Sequence, residues 1–411
     1  MAIETGSATK LEDQIDLLFA GLRRWPDLEA PDLVAGDAAD RLLLVRAHEH
    51  ISDDAKVCVV GDNYGALTLG LIGFGAPRPV RVHQDARSGE LALCNNSRFS
   101  TEPAPGKTEP DAFRQMSLGA DVVSDATLIV LRMPKSLDQL DEWAALLAAN
   151  ANDDVVVLAG GRDKYMSPSM TAILQKYFDE VAVGRGVQKS RVITARGPKR
   201  QAATASLAEW PKCQHEADFD LDICAFGGVF ASSSLDIGTR ALLNVLDRVS
   251  GKQNQRIIDF GCGTGVLAVH IARLRPTAHV VATDQSETAT RSAAATVEAN
   301  GVGDRVVVAR EDGLTSHGDN SADLIVFNPP FHSGAAVHAD TSLRLFAEAG
   351  RVLKPGGELW VVANRHLSYR AALRRFVGST RTITKTPKFT VTASIKDGEM
   401  PHTAKKAQTR I

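Results

Sequence analysis

Short β-branched runs alternate with helical stretches along both halves of the chain. In the second half the runs read RIIDF, HVVATD, RVVVA, DLIVF and GELWVVAN. Each is almost continuously apolar, which is typical of parallel strands buried on both faces and not of strands with one wet face. Strands that alternate with helices in this way predict an α/β domain built on a parallel sheet.

The first half repeats the order and spacing of the second. KVCVVGDNYGALTLGL, which starts at Lys56, matches RIIDFGCGTGVLAVHI, which starts at Arg256, so Gly61 corresponds to Gly261. ATLIVLRMPKS likewise takes the position of ADLIVFNPPFH. A repeat of both order and spacing predicts a tandem duplication of one α/β fold. Two unrelated domains that share ordinary strand-to-helix turns are the alternative.

The two copies differ where chemistry would need particular residues. The first has GDNYG where the second has GCGTG, and MP where the second has NPP. We therefore predict a degenerate copy over residues 1–200, which docks RNA or is structural, and a catalytic copy over residues 221–398. A linker over residues 201–220 and a basic tail over residues 399–411 complete this division. The stretch Gly197–Leu221 is polar and mixed, and no strand is expected in it.

Composition limits the class of protein. A length of 411 residues suits two domains. No apolar run approaches the roughly 20 residues that span a bilayer, and the N-terminus lacks a signal pattern, so we expect a cytoplasmic protein without a membrane segment. The cysteines are scattered, and no CxxC or Cys/His cluster occurs, so neither a disulfide nor a metal site is predicted. They are Cys58, Cys94, Cys213, Cys224 and Cys262.

Charge is distributed unevenly although the net charge is only −2. Residues 360–411 contain eleven Lys or Arg and two acidic residues, so this end is strongly basic and the remainder is acidic. We expect Arg365, Arg370, Arg374 and Arg375 to contact the phosphates of an RNA substrate. A solvated basic face followed by a tail is the alternative.

The segment DFGCGTG follows a predicted strand and opens a predicted helix. Its residues Asp259, Gly261, Cys262, Gly263 and Gly265 would bring the backbone close to a ligand at the N-terminus of that helix. Glycines alone would also suit a dinucleotide. An acidic residue before the first glycine instead favours a cationic sulfonium ligand, S-adenosylmethionine, over a pyrophosphate.

The ends of the next two strands carry acidic residues. Asp284, followed by Gln285, ends HVVATD and would accept both hydroxyls of a ribose. Asp312, followed by Gly313, comes after RVVVA and would accept the amine of an adenine. A helix cap for Asp284 and a solvated loop for Asp312 are the alternatives.

The segment Asn328, Pro329, Pro330, Phe331 ends the fourth strand. The lone pair of an exocyclic purine amine is delocalised into the ring, so this amine is a poor nucleophile. The Asn328 oxygen and a neighbouring carbonyl would accept its two N–H groups and aim the lone pair at a methyl group. Phe331 would stack on the extruded base. A rigid strand-end turn is the alternative, and we expect His332 to position or pack and not to act as a base.

These motifs together resemble the class I methyltransferases that act on planar nitrogens. More narrowly, GVFASSSLDIGTRALL, NPPFHSG, GGELWVVANRHLSYRAALRRFVG and KFTVTASIK resemble the bacterial ribosomal RNA (guanine-N2)-methyltransferases. The resemblance implies a tandem class I (Rossmann-like) fold with seven-stranded, mostly parallel sheets and a degenerate first copy. It further implies S-adenosylmethionine as cofactor, ribosomal RNA as partner and a monomeric enzyme that needs no metal.

The resemblance also implies finer roles. ANRHLSY and RMPKS are closer to the branch that modifies large-subunit (23S) RNA, and Leu235–Gly238 would cover the methionine end of the cofactor. One departure is the run Ser232–Ser234, where the family more often has Ser-Arg after Phe230, so an arginine contact would be lost or supplied elsewhere. Methylation of a protein glutamine, or a catalytically inactive RNA-binding assembly factor, remain the alternative functions.

Overall fold

The computed structural model describes residues 3–100, 112–249, 255–329, 335–367 and 369–397. The chain divides into two compact units, and the main division falls between Lys212 and Cys213. No helix within these ranges is long and apolar enough to cross a membrane.

The first unit is an α/β domain. Its strands are β1 Val57–Val60, β2 Val80–His83, β3 Phe113–Gln115, β4 Leu128–Arg132, β5 Val156–Arg162, β6 Phe178–Val183 and β7 Ser190–Pro198. Its helices are α1 Ile3–Gly21, α2 Ala38–His48, α3 Ala66–Gly73, α4 Arg87–Ser100, α5 Ala120–Val123, α6 Leu137–Asn150, α7 Pro168–Tyr177 and α8 Arg200–Leu207, with a 3₁₀ turn at Asp163–Tyr165.

The second unit repeats this plan after a short hairpin. Its strands are β8 Lys212–Glu216, β9 Leu221–Ala225, β10 Arg256–Phe260, β11 His279–Asp284, β12 Val306–Arg310, β13 Ala322–Phe327, β14 Leu353–Asn364, β15 Gly378–Lys385 and β16 Phe389–Lys396. Its helices are α9 Ile237–Leu243, α10 Val266–Leu274, α11 Glu287–Ala299, α12 Ala335–Val352 and α13 Arg370–Phe376, with a 3₁₀ turn at Leu246–Arg248.

The two large sheets have the same strand order. The first runs β3-β2-β1-β4-β5-β7-β6 and the second β12-β11-β10-β13-β14-β16-β15. Within the second sheet, β10 to β14 are mutually parallel, and β16 is antiparallel to both of its neighbours. The predicted fold, two seven-stranded and mostly parallel sheets in tandem, is confirmed.

Burial on both faces explains the continuous apolar runs. Ile257 of β10 belongs to one apolar cluster and Ile258 to another, because successive side chains of a strand point to opposite faces. In the first unit Val59 and Val60 divide between two clusters in the same way. Each sheet is therefore the middle of three layers, and only its strand ends are left to form a site.

Two expectations about the region between the copies are wrong. The stretch expected to lack a strand holds β8, which pairs with β9 in a two-stranded sheet. Cys213 on β8 and Cys224 on β9 form a disulfide, whereas no disulfide was predicted. The two cysteines are 11 residues apart, and they were not paired from the sequence because the β8–β9 hairpin that brings them together was not predicted. The domain boundaries at residues 200, 220 and 398 stay predictions.

Candidate active site

A cavity of about 290 Å³ opens at the carboxyl ends of the parallel strands of the second unit. It lies where β10 has β11 on one side and β13 on the other, so that successive connections leave the sheet in opposite directions. In open α/β sheets this switch of direction leaves a crevice at the strand ends, where ligands bind. The residues that end β10, β11 and β13 all line the cavity.

The glycine turn forms one wall. Gly261, Gly263 and Gly265 all have positive φ, so the turn needs glycine at each of these positions. Gly263 has open space where a side chain would stand. Gly265 does not line the cavity: a Cβ there would lie 2.9 Å from the Cβ of Ala293 on α11. Its role is therefore to let α11 pack against the start of α10.

Asp259 lies behind the turn and not in the cavity wall. Its Oδ2 accepts a hydrogen bond from the backbone N–H of Ala268 at 3.0 Å, and its Oδ1 has no partner among the described residues. Burial, with a smaller contribution from the charge of Asp284, raises the pKa of Asp259 to about 7. Near neutral pH this carboxyl group is thus poised between its two protonation states.

Asp284, at the end of β11, lines the cavity beside the glycine turn. Its Oδ2 accepts a hydrogen bond from the backbone N–H of Gly263 at 3.0 Å. Cys262 is buried, and burial raises the pKa of its thiol well above the usual value. Gln285 also lines the cavity. The structure thus brings Asp284, Gln285 and the turn together at one wall.

Asp312 forms part of a second wall with a partner that sequence reasoning missed. Its two carboxylate oxygens accept hydrogen bonds from Arg344 on α12, the shorter at 2.9 Å. Arg344 also reaches Glu348, whose Oε2 accepts the backbone N–H of Leu314 at 2.5 Å. The φ of Gly313 is +69°, and a Cβ there would strike Glu348. Arg344 therefore already donates to the carboxylate of Asp312 that was predicted to accept the adenine amine.

Glu311 lies next to Asp312 and lines the same cavity. It is buried, which would raise the pKa of its carboxyl group, but hydrogen bonds from His317 and Ser316 outweigh burial and lower that pKa. Glu311 consequently stays charged and adds to the negative potential of the wall.

Asn328 stands at the end of β13 and meets the first turn of α9. Its Nδ2 donates to Thr239 Oγ1 at 3.0 Å and to Asp236 Oδ2 at 3.3 Å. Its Oδ1 is buried and has no hydrogen-bond donor among the described residues. A buried acceptor without a donor destabilises the folded protein, so we expect this oxygen to accept an N–H group of a ligand.

The floor of the cavity is aromatic. Phe260 and Phe327 stack with ring centroids 4.5 Å apart, and Phe346 meets Phe327 edge-on behind them. Pro329 follows Asn328 at the rim. Pro330, Phe331 and His332 lie outside the described residues.

The four predicted RNA-binding arginines are all exposed. Arg365 directly follows β14, at the same edge of the sheet as Asn328. Arg370, Arg374 and Arg375 lie on α13, and Arg375 covers the ring of Phe376 at 5.1 Å. That these side chains contact phosphate stays a prediction.

Comparison with known proteins decides the family. A model of the methyltransferase small domain matches residues 220–393, and a model of the RLMG N-terminal domain matches residues 13–199. The ribosomal RNA large subunit methyltransferase G of Streptomyces coelicolor is 33% identical over 92% of this chain and 98% of its own length. The chain belongs to the ribosomal RNA large subunit methyltransferase G family. The family member from Magnetococcus marinus is 31% identical over 91% of this chain and 96% of its own length.

A solved structure shares the fold. The T. thermophilus 16S rRNA N2 methyltransferase RsmC, solved with AdoMet and guanosine, superposes with a TM-score of 0.69 and 20% identity. The match covers 88% of this chain and 92% of that one. At this identity the likeness supports the fold alone. The resemblance predicted from the sequence, a tandem methyltransferase of the ribosomal RNA family, is confirmed.

The first unit of this family member has different residues at two positions that line the cavity in the second. Asp62, at the position of Cys262, accepts the backbone N–H groups of Gly65 at 3.1 Å and Thr68 at 2.8 Å. In the second unit the corresponding N–H groups of Gly265 and Ala268 also have acceptors, Cys262 O and Asp259 Oδ2, so this contact does not distinguish the two copies. At the position of Asn328 stands Arg132, paired with Asp37 and Asp40. That this copy binds no cofactor stays a prediction.

The residues present in the second unit suit the methyl donor S-adenosylmethionine. Asp236, Asp284, Glu311 and Asp312 line the cavity, and among the lining residues that the structure describes only Arg344 is basic. Such a wall favours a ligand with a sulfonium and an ammonium group and disfavours a pyrophosphate. Within the described residues, no cluster of three or more His, Cys, Asp or Glu could hold a metal ion.

Sequence reasoning missed Thr239 and Arg344. Thr239 stands three residues after Asp236, the spacing of a helix N-cap and its third residue, and this pattern could have placed it at the start of α9. Nothing in the sequence marks Arg344, because its contact with Asp312 depends on the position of α12 relative to the loop that follows β12.

Proposed function

We propose that this chain transfers the methyl group of S-adenosylmethionine to the exocyclic N2 amine of a guanine in large-subunit ribosomal RNA. Membership of the methyltransferase G family supports the reaction and the substrate. The single observation that carries the choice of a planar amine is the buried Oδ1 of Asn328, for which no described residue supplies a donor.

Residues of the second unit divide into two groups for this function. Asp284 would accept the ribose hydroxyls and Asp312 the adenine amine, with Gly261 and Gly263 letting the backbone approach the cofactor. When bound, the cofactor supplies an electrophilic methyl group. For the adenine to reach Asp312, Arg344 has to turn toward Glu348, which it already contacts at 3.3 Å.

Asn328 would hold the target amine. Its Oδ1 accepts one N–H, and the backbone carbonyl beside it accepts the other, which makes the nitrogen more tetrahedral and fixes the direction of its lone pair. The aromatic floor of Phe260 and Phe327 excludes water from this part of the cavity, so these hydrogen bonds act at low dielectric. No proton has to be removed by a basic side chain before the methyl group is transferred.

The decisive experiment identifies the methylated product. Purified protein is incubated with labelled cofactor and, separately, with stripped 23S RNA, stripped 16S RNA and translation release factors. We expect N2-methylguanine in 23S RNA by nucleoside mass spectrometry, and loss of the same product in cells that lack the protein. Label in 16S RNA, label in a release factor, or cofactor binding without transfer to any acceptor would each overturn the proposal.

We further propose that the enzyme acts in the cytoplasm as a monomer on ribosomal RNA. Sedimentation of the purified protein checks its assembly state, and a dimer would contradict this part of the proposal.

A further inference from the structure

Asn328 is tied to the first turn of α9 through both N–H groups of its amide. The acceptors are Thr239 Oγ1 at 3.0 Å and Asp236 Oδ2 at 3.3 Å. Asp236 is the N-cap of α9, and its Oδ2 also accepts the backbone N–H of Thr239 at 3.0 Å. The acceptor for Asn328 is therefore itself held by the helix that it caps.

We propose that Asp236 and Thr239 are positioning residues that select the orientation of the Asn328 amide. The inference rests on the proposed function, in which Asn328 receives the substrate amine. It assigns to Asp236 a task other than the one implied by the family resemblance, namely cover for the methionine end of the cofactor.

Chemistry allows only one orientation of this amide. A side-chain amide can be rotated by half a turn, which exchanges its oxygen and its nitrogen. A carboxylate only accepts hydrogen bonds, so a rotated Asn328 would set its oxygen against Asp236 Oδ2 and lose that bond. The Thr239 hydroxyl can donate or accept, so it holds the amide in place while Asp236 sets its direction. The amide nitrogen must therefore face α9, and Oδ1 must face away from it, where no described residue supplies a donor.

Gly238 keeps this arrangement compact. A Cβ at position 238 would lie 2.9 Å from Asp236 Oδ2 and 3.1 Å from the ring of Phe389. Any larger residue would displace the carboxylate that orients Asn328. Asp236, Gly238 and Thr239 of the sequence Asp-Ile-Gly-Thr thus all help to hold the side-chain amide of Asn328.

The first unit repeats the tie with different chemistry. Asp37 is the N-cap of α2, Asp40 is the third residue of that helix, and Arg132 ends β4 at the position of Asn328. Arg132 donates to both carboxylates at 2.8 Å. The link between the fourth strand and a helix cap is therefore common to both copies. A guanidinium has no acceptor, so only the copy with Asn328 presents an oxygen to a substrate amine.

Substitutions at α9 separate orientation from folding. Thr239→Val removes one acceptor and keeps the shape of the side chain, and Thr239→Ser restores the hydroxyl. Asp236→Asn keeps a good N-cap but can face Asn328 with either end of its own amide, which permits the rotated form. Asp40→Asn, at the position of Thr239 in the first unit, is the matched control.

We expect Thr239→Val and Asp236→Asn each to lower kcat roughly tenfold, the scale of one lost hydrogen bond. Thr239→Ser should recover most of this loss, and Asp40→Asn should leave kcat unchanged. Cofactor affinity of Thr239→Val should stay within about twofold. In an Asn328→Ala background, Thr239→Val should cause no further loss, because both changes act through one group.

Guanosine binding, measured by calorimetry with S-adenosylhomocysteine present, gives a readout that does not need turnover. Thr239→Val should weaken it several-fold, and Asp40→Asn should not. If the wild type methylates no RNA but this pattern of guanosine affinities holds, the proposed function fails and the orientation of Asn328 stands. Unchanged kcat and guanosine affinity in both α9 variants, or independent losses in the double variant, would overturn the inference.

Discussion

Arg132 in the first unit and Asn328 in the second occupy the same position, at the end of the fourth strand, and each is tied to the N-cap of a neighbouring helix. In one copy the tie is an ion pair, and in the other it is an oriented amide. The shared position belongs to the fold that both copies have. The copies differ in that Arg132 offers only donors, whereas Asn328 also offers an acceptor oxygen.

The ion pair in the first unit should contribute strongly to stability. The side chains of Arg132 and Asp40 are only 16% and 10% exposed. We expect Arg132→Met to lower the free energy of unfolding by about 3 kcal/mol, because the buried carboxyl group of Asp40 and the half-buried carboxylate of Asp37 both lose their partner. Arg191→Met breaks the more exposed pair with Asp163 and should cost below about 1 kcal/mol. Denaturant titration of both variants checks this, and equal losses would contradict it.

Asn328→Ala should separate chemistry from cofactor binding. Its Oδ1 is predicted to meet the target amine, so we expect turnover to fall roughly a hundredfold or more, the scale for loss of a preorganised hydrogen-bonding group. Cofactor affinity should remain near that of the wild type. Single-turnover kinetics and calorimetry measure the two effects, and turnover within a few-fold of the wild type would remove Asn328 from the reaction.

Asp284→Ala should abolish tight cofactor binding. The carboxylate is predicted to hold two ribose hydroxyls, and hydrogen bonds to a charged group are worth about 1.5–3 kcal/mol each, which is roughly tenfold or more in Kd. Gln84→Ala changes the equivalent strand end in the first unit and should leave both affinity and a stoichiometry of one unchanged. Calorimetry that finds two sites, or an unaltered Kd in Asp284→Ala, would contradict this prediction.

Neutralisation of α13 tests the RNA surface. If Arg370, Arg374 and Arg375 contact phosphates, their replacement by Gln should weaken RNA binding and reduce the dependence of log K on log salt by up to about three. Arg248, in the 3₁₀ turn before β10, and Arg256, the first residue of β10, are exposed and are not predicted to contact RNA, so their replacement by Gln is the control. An unchanged salt dependence in the triple variant would assign docking to another surface.

Asp259 should make the second unit less stable as pH rises. Its pKa is about 7 in the folded protein and about 4 when unfolded. The folded state therefore retains a proton that the unfolded state has lost. The free energy of unfolding should fall from about pH 4 to pH 7 by up to ~4 kcal/mol from this group, and no further above pH 7.

Asp259→Asn should flatten this dependence in chemical denaturation at a series of pH values. Burial also raises the pKa of Asp40 to about 7, so Asp40→Asn should remove a second, separate part of the slope. Identical slopes for the wild type and Asp259→Asn would show that Asp259 is already ionised in the folded protein.

The sequence by itself determined the architecture and most of the site. Continuous apolar runs mark strands buried on both faces. The predicted run RIIDF coincides with β10, because a strand that is buried on both faces is apolar at almost every position. The acidic and amide residues after each run then had to lie at one edge, since parallel strands end together. Asp284, Asp312 and Asn328 could be placed in one site by this reasoning alone.

Tertiary packing decided what these residues contact. Asp259 and Gly265 share a motif with Gly263 but lie behind the cavity wall, because the strand buries one and α11 packs on the other. Arg344 reaches Asp312 across more than thirty residues, and Cys213 reaches Cys224 only because a hairpin forms. The orientation of Asn328 likewise depends on the cap of a helix 92 residues earlier. Hydrophobic pattern determines which face of an element is buried, but hydrogen-bond direction depends on atoms that only the folded chain brings together.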